Sequence, residues 1–427
     1  MRVKTKEHIV TLSRRKFFTL AGTGTAGALI LSPLQAFYAN RAFAAGPYGS
    51  LVSDPKRVLD LPSGFSYVRM SEAGQTMSDG YKVPGGHDGM AAFPGTNGST
   101  ILVRNHELNF SSGSSVGAPS GKKYDSQAKG GTTTLEVSST RVLLRHHGSL
   151  AGTDRNCAGG PTPWGSWLSC EESFETGNKK HGYVFEVPSS ATSFVTPVPL
   201  TAMGRFNHEA AAIDPNTGYV YMTEDRGDGL LYRFVPNTKG KLSDGGTLYA
   251  LRIQIKLKAN TKTGFTVGQA YSVDWVRITN PDPSSDTVRS EGYNLGAARF
   301  SRGEGIFYGK GDIYFCCTNG GSAGYGQVWR YNPATETIRL FAEPNNRSIL
   351  DYPDNIVVAP NGDLFICEDG DGEIFIVGIT PSGTLYKFAR NALNSEEFAG
   401  ICFSPDGKIM FVNLQSPGIT FAIRGPW

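Results

Sequence analysis

The stretch IVVAPNGDLFICED (residues 356–369) joins two short apolar runs through Pro-Asn-Gly-Asp. An Asn-Gly pair between apolar runs is the strongest short-range signal for a β-hairpin, because both residues accept the positive φ of the turn. Comparable pairs of runs, with Asn-Gly, Asp-Gly or glycine at the turn, occur at residues 211–225, 306–318 and 401–413. The chain therefore repeats one hairpin unit.

Each hairpin is followed by a polar loop and a third apolar run, as at residues 229–234 and 327–331. Repeats of roughly 40–50 residues with about four strands are typical of propeller blades. Residues 100–107 and 162–187 fit the same scheme, and the segment 239–279 counts as an insertion or a further blade. We therefore predict an all-β, six-bladed β-propeller formed as a single domain by residues 45–427. A pair of β-sandwich domains is the alternative.

The N-terminus has the composition of an export signal. Ser-Arg-Arg-Lys-Phe-Phe at residues 13–18 precedes an apolar run at 20–34 and the small-residue site Ala-Phe-Ala at 42–44. This order predicts a twin-arginine signal peptide over residues 1–44 and a protein in the periplasm or secreted. An ordinary N-terminal helix is the alternative.

The rest of the sequence excludes two kinds of partner. No other segment has the roughly 20 apolar residues that span a bilayer, which predicts that the protein has no stable membrane anchor. The net charge of +3 is small and scattered, so no nucleic-acid partner is indicated. We expect a monomer.

Acidic residues recur at the ends of the predicted strands. Equivalent strand ends surround the central channel of a propeller, so these carboxylates would converge there and would repel one another unless protonated or bound to a cation. Oxygen-rich clusters suit hard cations such as calcium, which predicts a metal site in the channel. The alternative for any one acid is a turn cap or an ion pair. The acids end a second strand (Glu107, Glu171, Glu224 and Glu368) or begin a first strand (Glu209, Glu304 and Asp354).

Cysteines and arginines accompany these acids. In GGPTPWGSWLSCEES (residues 159–173), Cys170 directly precedes two glutamates. A thiolate among carboxylates suits a transition metal such as iron, so a mixed site for iron and calcium would explain both ligand types. A core position and a disulfide with Cys157 are alternatives for this cysteine. Arg302 and Arg205 precede Glu304 and Glu209 closely, either as counter-ions or as a fork for an anionic substrate.

Several motifs resemble those of the PhoX-type alkaline phosphatases, over about residues 59–412. The Thr-Pro-Trp-Gly…Cys-Glu-Glu and Asn-His-Glu elements are the specific ones. The motifs are Arg-Asn-His-Glu (104–107), Asn-Cys-Ala-Gly-Gly (156–160), Thr-Pro-Trp-Gly-Ser-Trp-Leu-Ser-Cys-Glu-Glu (162–172), Gly-Arg-Phe-Asn-His-Glu-Ala (204–210), Arg-Gly-Glu-Gly (302–305) and Pro-Asp-Asn (353–355).

The resemblance implies a six-bladed propeller phosphatase with ferric iron (Fe3+) and calcium (Ca2+) in its channel, acting on small phosphate esters. It implies Cys170 as the iron-bound thiolate and Arg302 as the phosphate-binding residue, with Asn105 and Arg205 as further catalytic candidates. Strand alternation lets one of the two glutamates after Cys170 face the ring, and we predict Glu171. The carboxylates implied for the iron and calcium positions are Glu107, Glu171, Glu209, Glu304, Asp354 and Glu368.

Two other functions fit the same residues. A calcium-dependent propeller lactonase would use one metal and no thiolate, and a non-enzymatic propeller would use the channel to bind a ligand. No Gly-x-Ser-x-Gly elbow and no phosphate-cradling Walker loop occurs, so a serine nucleophile is not indicated.

Overall fold

The structure, a computed structural model, describes residues 46–427. The predicted export signal over residues 1–44 therefore lies outside the described residues. The regular structure of the described chain is almost all β-strand, with a single seven-residue α-helix, α1 (Val288–Asn294). Short 3-10 helices cover Thr96–Gly98, Thr201–Met203 and Leu242–Asp244. None of the helices in this part of the chain is long and apolar enough to span a bilayer.

The strands are short and follow one another closely along the chain. The first thirteen are β1 (Leu51–Val52), β2 (Leu59–Pro62), β3 (Ser66–Glu72), β4 (His87–Pro94), β5 (Thr100–His106), β6 (Gly130–Val137), β7 (Leu143–Thr153), β8 (Asn156–Pro161), β9 (Ser166–Glu171), β10 (Val184–Pro188), β11 (His208–Ile213), β12 (Val220–Glu224) and β13 (Leu231–Pro236). The remaining strands are β14 (Gly246–Ile253), β15 (Ala270–Arg277), β16 (Gly303–Gly309), β17 (Asp312–Cys317), β18 (Gln327–Asn332), β19 (Thr337–Ala342), β20 (Pro353–Val358), β21 (Leu364–Glu368), β22 (Phe375–Ile379), β23 (Leu385–Asn391), β24 (Phe398–Phe403), β25 (Ile409–Leu414) and β26 (Ile419–Arg424).

The hairpin predicted at residues 356–369 forms, although Gly362 takes a positive φ and Asn361 does not. Strands β20 and β21 pair antiparallel, with Val358 opposite Leu364. Gly362 takes a φ of +98° in the turn, a value that glycine reaches without steric cost. The side-chain oxygen of Asn361 accepts a hydrogen bond from the backbone N–H of Asp363 at 3.0 Å. The turn residues therefore fix the register of the two apolar strands.

Most neighbouring strands are consecutive in the chain and antiparallel, and they form six groups. The groups are β4–β7, β8–β10, β11–β15, β16–β19, β20–β23 and β24–β26. Strand β15 also pairs with β19, and β2 with β1 extends the sheet of β20–β23. Strand β3, from the start of the described chain, pairs with β26 at its end. The last sheet is thus completed by both ends of the described chain.

The first strands of the six groups lie side by side. Strand β4 contacts β8, β8 contacts β11, and the series continues through β16, β20 and β24 back to β4. Apolar side chains fill the space between neighbouring sheets, as where Phe365, Phe388 and Val412 pack together. The all-β, propeller-like fold that the sequence predicts is confirmed, and the alternative of two β-sandwich domains is not.

Candidate metal centre

All six first strands carry a β-bulge close to their start. In each, the pairing with the second strand is interrupted for two residues, as between His208 and Ala211 in β11. A bulge leaves its residues out of the ladder and turns their side chains. The first residues of the six bulges are Asp88, Cys157, Glu209, Glu304, Asp354 and Gly400. Five of the six equivalent positions therefore carry a side chain that can bind a metal.

Small residues bring these bulges close together. A Cβ on Gly305 would lie 2.6 Å from the carbonyl oxygen of Asp354, and a Cβ on Gly89 would lie 2.8 Å from that of Cys157. Neither position has room for a larger residue, so the glycine of Arg-Gly-Glu-Gly serves close strand packing. This close approach allows ligands from neighbouring strands to meet.

The ligand atoms form two groups that share Glu209. Cys157, Glu172 and Glu209 form one, and Glu209, Glu304 and Asp354 form the other. Within each group the sulfur and carboxylate oxygens all lie within 4.8 Å of one another, and every member is buried. The sequence-based prediction placed Glu209, Glu304 and Asp354 at the metals, and the structure brings those three together.

The electrostatics of the second group favour a bound cation. Burial raises the pKa of Glu304 well above its usual range, and the negative charges of Asp225, Glu209 and Asp354 raise it further. Oε2 of Glu304 is buried and accepts no hydrogen bond from the described residues. A cation among these carboxylates would remove the repulsion and supply the missing partner.

Arg302 stands at the edge of this group. Its Nε and Nη2 donate to the two carboxylate oxygens of Asp225 at 2.9 and 3.2 Å, and Nη2 also donates to Oε1 of Glu304 at 2.7 Å. The backbone has a φ of +51°, which is strained for a residue with a side chain. Backbone hydrogen bonds with Arg226 and Thr318 hold it there. The guanidinium plane is therefore fixed beside the carboxylates.

Glu107 lies next to the first group without belonging to it. Arg155 bridges Glu107 and Glu172 with contacts of 3.1 and 2.7 Å. The side-chain amide of Gln415 donates to Glu107 at 2.8 Å and to Asp88 at 3.1 Å. Glu107 and Asp88 thus extend the acidic cluster toward β24–β26, with charges partly balanced by Arg155.

Cys170 and Glu171 lie outside both groups, contrary to the role expected for them. The thiol of Cys170 packs in an apolar core with Val184 and Phe206, and burial raises its pKa well above its usual range. Glu171 accepts hydrogen bonds from the backbone N–H groups of Asp154, Gly182 and Tyr183 and from His181. It braces the loop between β9 and β10, and the next residue, Glu172, is the one that reaches the cluster.

Glu368 is also engaged away from the metal groups. Its carboxylate accepts hydrogen bonds from the backbone N–H groups of Asp351 and Phe375, each at 3.0 Å, and from Nζ of Lys387 at 2.8 Å. Burial raises its pKa to about 7, and Lys387 opposes this shift. Glu368 occupies the position in its sheet that Glu171 has in its own, opposite the first residue of the neighbouring strand. A glutamate at this position holds the adjoining loops by accepting hydrogen bonds from their backbone N–H groups.

Asn105 holds the backbone that carries Cys157. Its amide nitrogen donates to the carbonyl oxygens of Cys157 and Ala158 at 3.2 and 2.7 Å. Its oxygen accepts from Trp167 and Ser169, each at 2.8 Å. The side chain is fully buried. Asn105 therefore fixes the backbone of β8, the strand that carries Cys157, and is not a member of either ligand group.

Arg205 is likewise buried away from the cluster. Its guanidinium donates to the carbonyl oxygens of His181, Phe174 and Glu175, and it stacks on the ring of Phe174 at 3.8 Å. These contacts tie the loop between β9 and β10 to the segment before β11. Arg205 therefore has a structural position, and of the two arginines only Arg302 adjoins the carboxylates.

Sequence reasoning missed Asp88, Cys157 and Glu172 as ligand candidates. Cys157 and Cys170 are both thiols, so the disulfide alternative is not realised. A shared local pattern, a ligand residue followed by a small residue, marks four of the bulges: Asp-Gly at 88–89, Cys-Ala at 157–158, Glu-Ala at 209–210 and Glu-Gly at 304–305. This two-residue pattern is the signal in the sequence that points to Cys157.

The donor set fits metal ions. A thiolate with carboxylates suits a transition metal such as iron, and a group of carboxylates alone suits a hard cation such as calcium. The first group contains a thiol with two carboxylates, and the second group contains carboxylates alone. The residues present can therefore hold both kinds of ion.

Solved structures with a similar fold extend over most of this chain and most of their own. The structure of Pseudomonas fluorescens PhoX in complex with vanadate, a transition-state analogue, has a TM-score of 0.69 at 21% sequence identity, covering 86% of this chain and 96% of that one. A gluconolactonase from Xanthomonas campestris reaches a TM-score of only 0.45 at 12% identity, over 89% and 98% of the two chains. No curated protein sequence matches this chain significantly.

A family model identifies the chain directly. The model for alkaline phosphatase PhoX matches residues 46–148 and 140–418, nearly all of the described chain. The predicted resemblance and the predicted phosphatase function are both confirmed. The chain belongs to the PhoX family of alkaline phosphatases and is a phosphoric ester hydrolase.

Proposed function

We propose that this phosphatase holds its metal ions with the bulge residues of neighbouring first strands. The observation that carries the proposal is the convergence of five buried ligand side chains in two groups with one shared member, beside a fixed arginine. Cys157, Glu172 and Glu209 would hold ferric iron. Glu209, Glu304 and Asp354 would hold calcium.

Cations at these groups would neutralise the charge of a phosphate ester and polarise its P–O bonds. The protein's own part is to position the ester. Arg302, oriented by Asp225 and Glu304, would donate hydrogen bonds to non-bridging phosphate oxygens and stabilise the charge that develops on them. The fixed guanidinium plane gives this contact without reorganisation during the reaction.

The remaining ligand candidates surround this centre. Glu107 and Asp88 would bind a further calcium ion or help to hold the proposed iron and calcium ions in place. Asn105 would act as a positioning residue, since it sets the peptide that carries the Cys157 thiol. Arg205 would act indirectly, by holding the loop between β9 and β10. This assignment replaces Cys170 by Cys157 and Glu171 by Glu172.

We further propose six blades, formed by the six groups of strands whose first members contact one another in sequence. The substrates would be small phosphate esters, a proposal supported by the vanadate bound to the P. fluorescens protein. Twin-arginine export to the periplasm or beyond it is proposed from Ser-Arg-Arg-Lys-Phe-Phe at residues 13–18. The protein would act as a monomer.

The direct test is hydrolysis of a chromogenic phosphomonoester by the purified protein at alkaline pH, before and after metal removal. We expect activity in the protein as purified, loss on treatment with strong chelators, and recovery when iron and calcium are added back together. A gluconolactone substrate serves as the control and should not be hydrolysed. Full activity in protein shown by elemental analysis to be free of iron and calcium would refute the proposed metal centre.

A further inference from the structure

The turn after β14 exposes an unusual run of side chains. Residues 254–258, Gln-Ile-Lys-Leu-Lys, are all exposed, with Ile255 at 77% and Leu257 at 62%. Leu295, which follows α1, is 46% exposed. It lies next to the turn, because Lys258 donates a backbone hydrogen bond to Gly296 at 3.0 Å. We call Ile255, Lys256, Leu257, Lys258 and Leu295 the apolar–basic patch.

The patch lies in a segment with only positive charges. Residues 245–273 contain Arg252, Lys256, Lys258 and Lys262 and no aspartate or glutamate. Arg252 pairs with Asp274, whereas the two patch lysines form no ion pair with any residue in 46–427. Nζ of Lys256 lies 4.7 Å from the ring centre of Phe265, and Nζ of Lys258 lies 5.3 Å from that of Tyr293. The ammonium groups are thereby held beside the apolar side chains.

The patch is on the same face of the fold as the metal centre. Strand β11 starts at that face with Glu209 close to its first residue, and the strands of its sheet alternate in direction. Strand β14, the fourth, therefore ends at the face where β11 begins. The loop then reaches Arg299, whose N–H donates to Ala259 at 2.8 Å, three residues before Arg302.

We propose that the apolar–basic patch docks the protein on a membrane surface that carries anionic lipid head groups. Protruding aliphatic side chains insert at the level of the acyl-chain boundary, while neighbouring lysines meet the lipid phosphates. A stable protein partner normally covers about 800 Å² on each side, more than a five-residue turn presents. Docking would turn the face with the metal centre toward the membrane.

Vesicle co-sedimentation of the full chain tests this proposal, independently of any phosphatase activity. The probes are vesicles of phosphatidylcholine with and without phosphatidylglycerol. We expect binding to the mixed vesicles that weakens as salt is raised. The double variants Ile255→Ser/Leu257→Ser and Lys256→Glu/Lys258→Glu should each bind about tenfold more weakly or worse. Residues 1–45 are common to all variants, so the differences report on the patch.

A second exposed apolar pair provides the control. Val142 and Leu144 are 55% and 56% exposed, and they lie at the turn between β6 and β7, at the opposite end of the strands. Val142→Ser/Leu144→Ser should bind like the unaltered protein, and every variant should keep its melting temperature and its activity on a soluble substrate. The proposal is overturned if the unaltered chain ignores anionic vesicles, if all variants bind alike, or if the control pair weakens binding as much.

Discussion

Glu171 and Glu172 are neighbours in sequence with opposite surroundings. Glu171 accepts hydrogen bonds from three backbone N–H groups and His181. Glu172 reaches Cys157, Glu209 and Arg155. The sequence predicts that only one of the two faces the ring, because side chains alternate along a strand. It does not show which, because strand β9 ends at Glu171 and the alternation stops with it.

Replacing each glutamate by glutamine separates their roles. Glu172→Gln should lower metal affinity at least about tenfold, the loss seen when even an outer partner of a ligand is removed. Glu171→Gln should keep the metals and lower stability by about 2 kcal/mol, because an amide cannot accept all the hydrogen bonds of the buried carboxylate. Metal analysis and thermal unfolding measure the two effects. Equal metal loss in both variants would contradict the assignment.

The guanidinium of Arg302 is held between two carboxylates. Arg302→Lys keeps the positive charge and removes the planar guanidinium that donates hydrogen bonds to Asp225 and Glu304. We expect kcat/KM for a phosphomonoester to fall on the order of 100-fold, because lysine cannot bind phosphate oxygens in the same fixed plane. Steady-state kinetics at saturating metal concentration measure this. An unchanged kcat/KM would exclude Arg302 from phosphate binding.

At the scale of elements, the bulges in the first strands are the feature that makes a site. A regular strand would pair all its residues with the second strand. The bulge instead leaves two residues unpaired near the start of each first strand. The small second residue then lets the neighbouring strand approach, as Gly305 does for β20. Composition and turn signals predicted the hairpins around residues 211–225, 306–318, 356–369 and 401–413. They did not predict the bulges, because a bulge depends on pairing across strands.

A substitution at Arg205 tests how much the loop between β9 and β10 contributes to stability. Arg205→Met removes a buried guanidinium that satisfies three carbonyl oxygens of the loop between β9 and β10. We expect a loss of about 3 kcal/mol in unfolding free energy. The KM of the folded enzyme for a small phosphate ester should change little, since the side chain does not adjoin the cluster. A large rise in KM without loss of stability would instead indicate substrate binding.

For the molecule as a whole, the ligands come from strands that are far apart in sequence. Asp88 and Asp354 are separated by most of the described chain, and β3 with β26 joins its two ends in one sheet. The sequence predicted the all-β propeller-like fold and three members of the carboxylate cluster, Glu209, Glu304 and Asp354, because those begin first strands. The sequence pointed to Cys170 for the thiolate, whereas the folded chain places Cys157 near the start of a first strand and Cys170 in a second strand.

Metal removal should therefore weaken the entire fold. A ligand that binds only the native state adds about 4 kcal/mol when present at 1,000 times its dissociation constant. Without cations, the buried carboxylates also repel one another. We expect the melting temperature to fall by at least about 5 °C after chelation and to recover when metal is restored. Identical unfolding curves with and without chelator would count against ions that link the strands.

We propose that Cys157, and not Cys170, supplies the thiolate of the metal centre. Elemental analysis of the purified protein beside its Cys157→Ser and Cys170→Ser variants tests it most directly. We expect iron and calcium in the unaltered chain, iron lowered at least about tenfold by Cys157→Ser, and unaltered metal content in Cys170→Ser. Loss of iron from Cys170→Ser, with iron retained in Cys157→Ser, would show that Cys170 is the ligand.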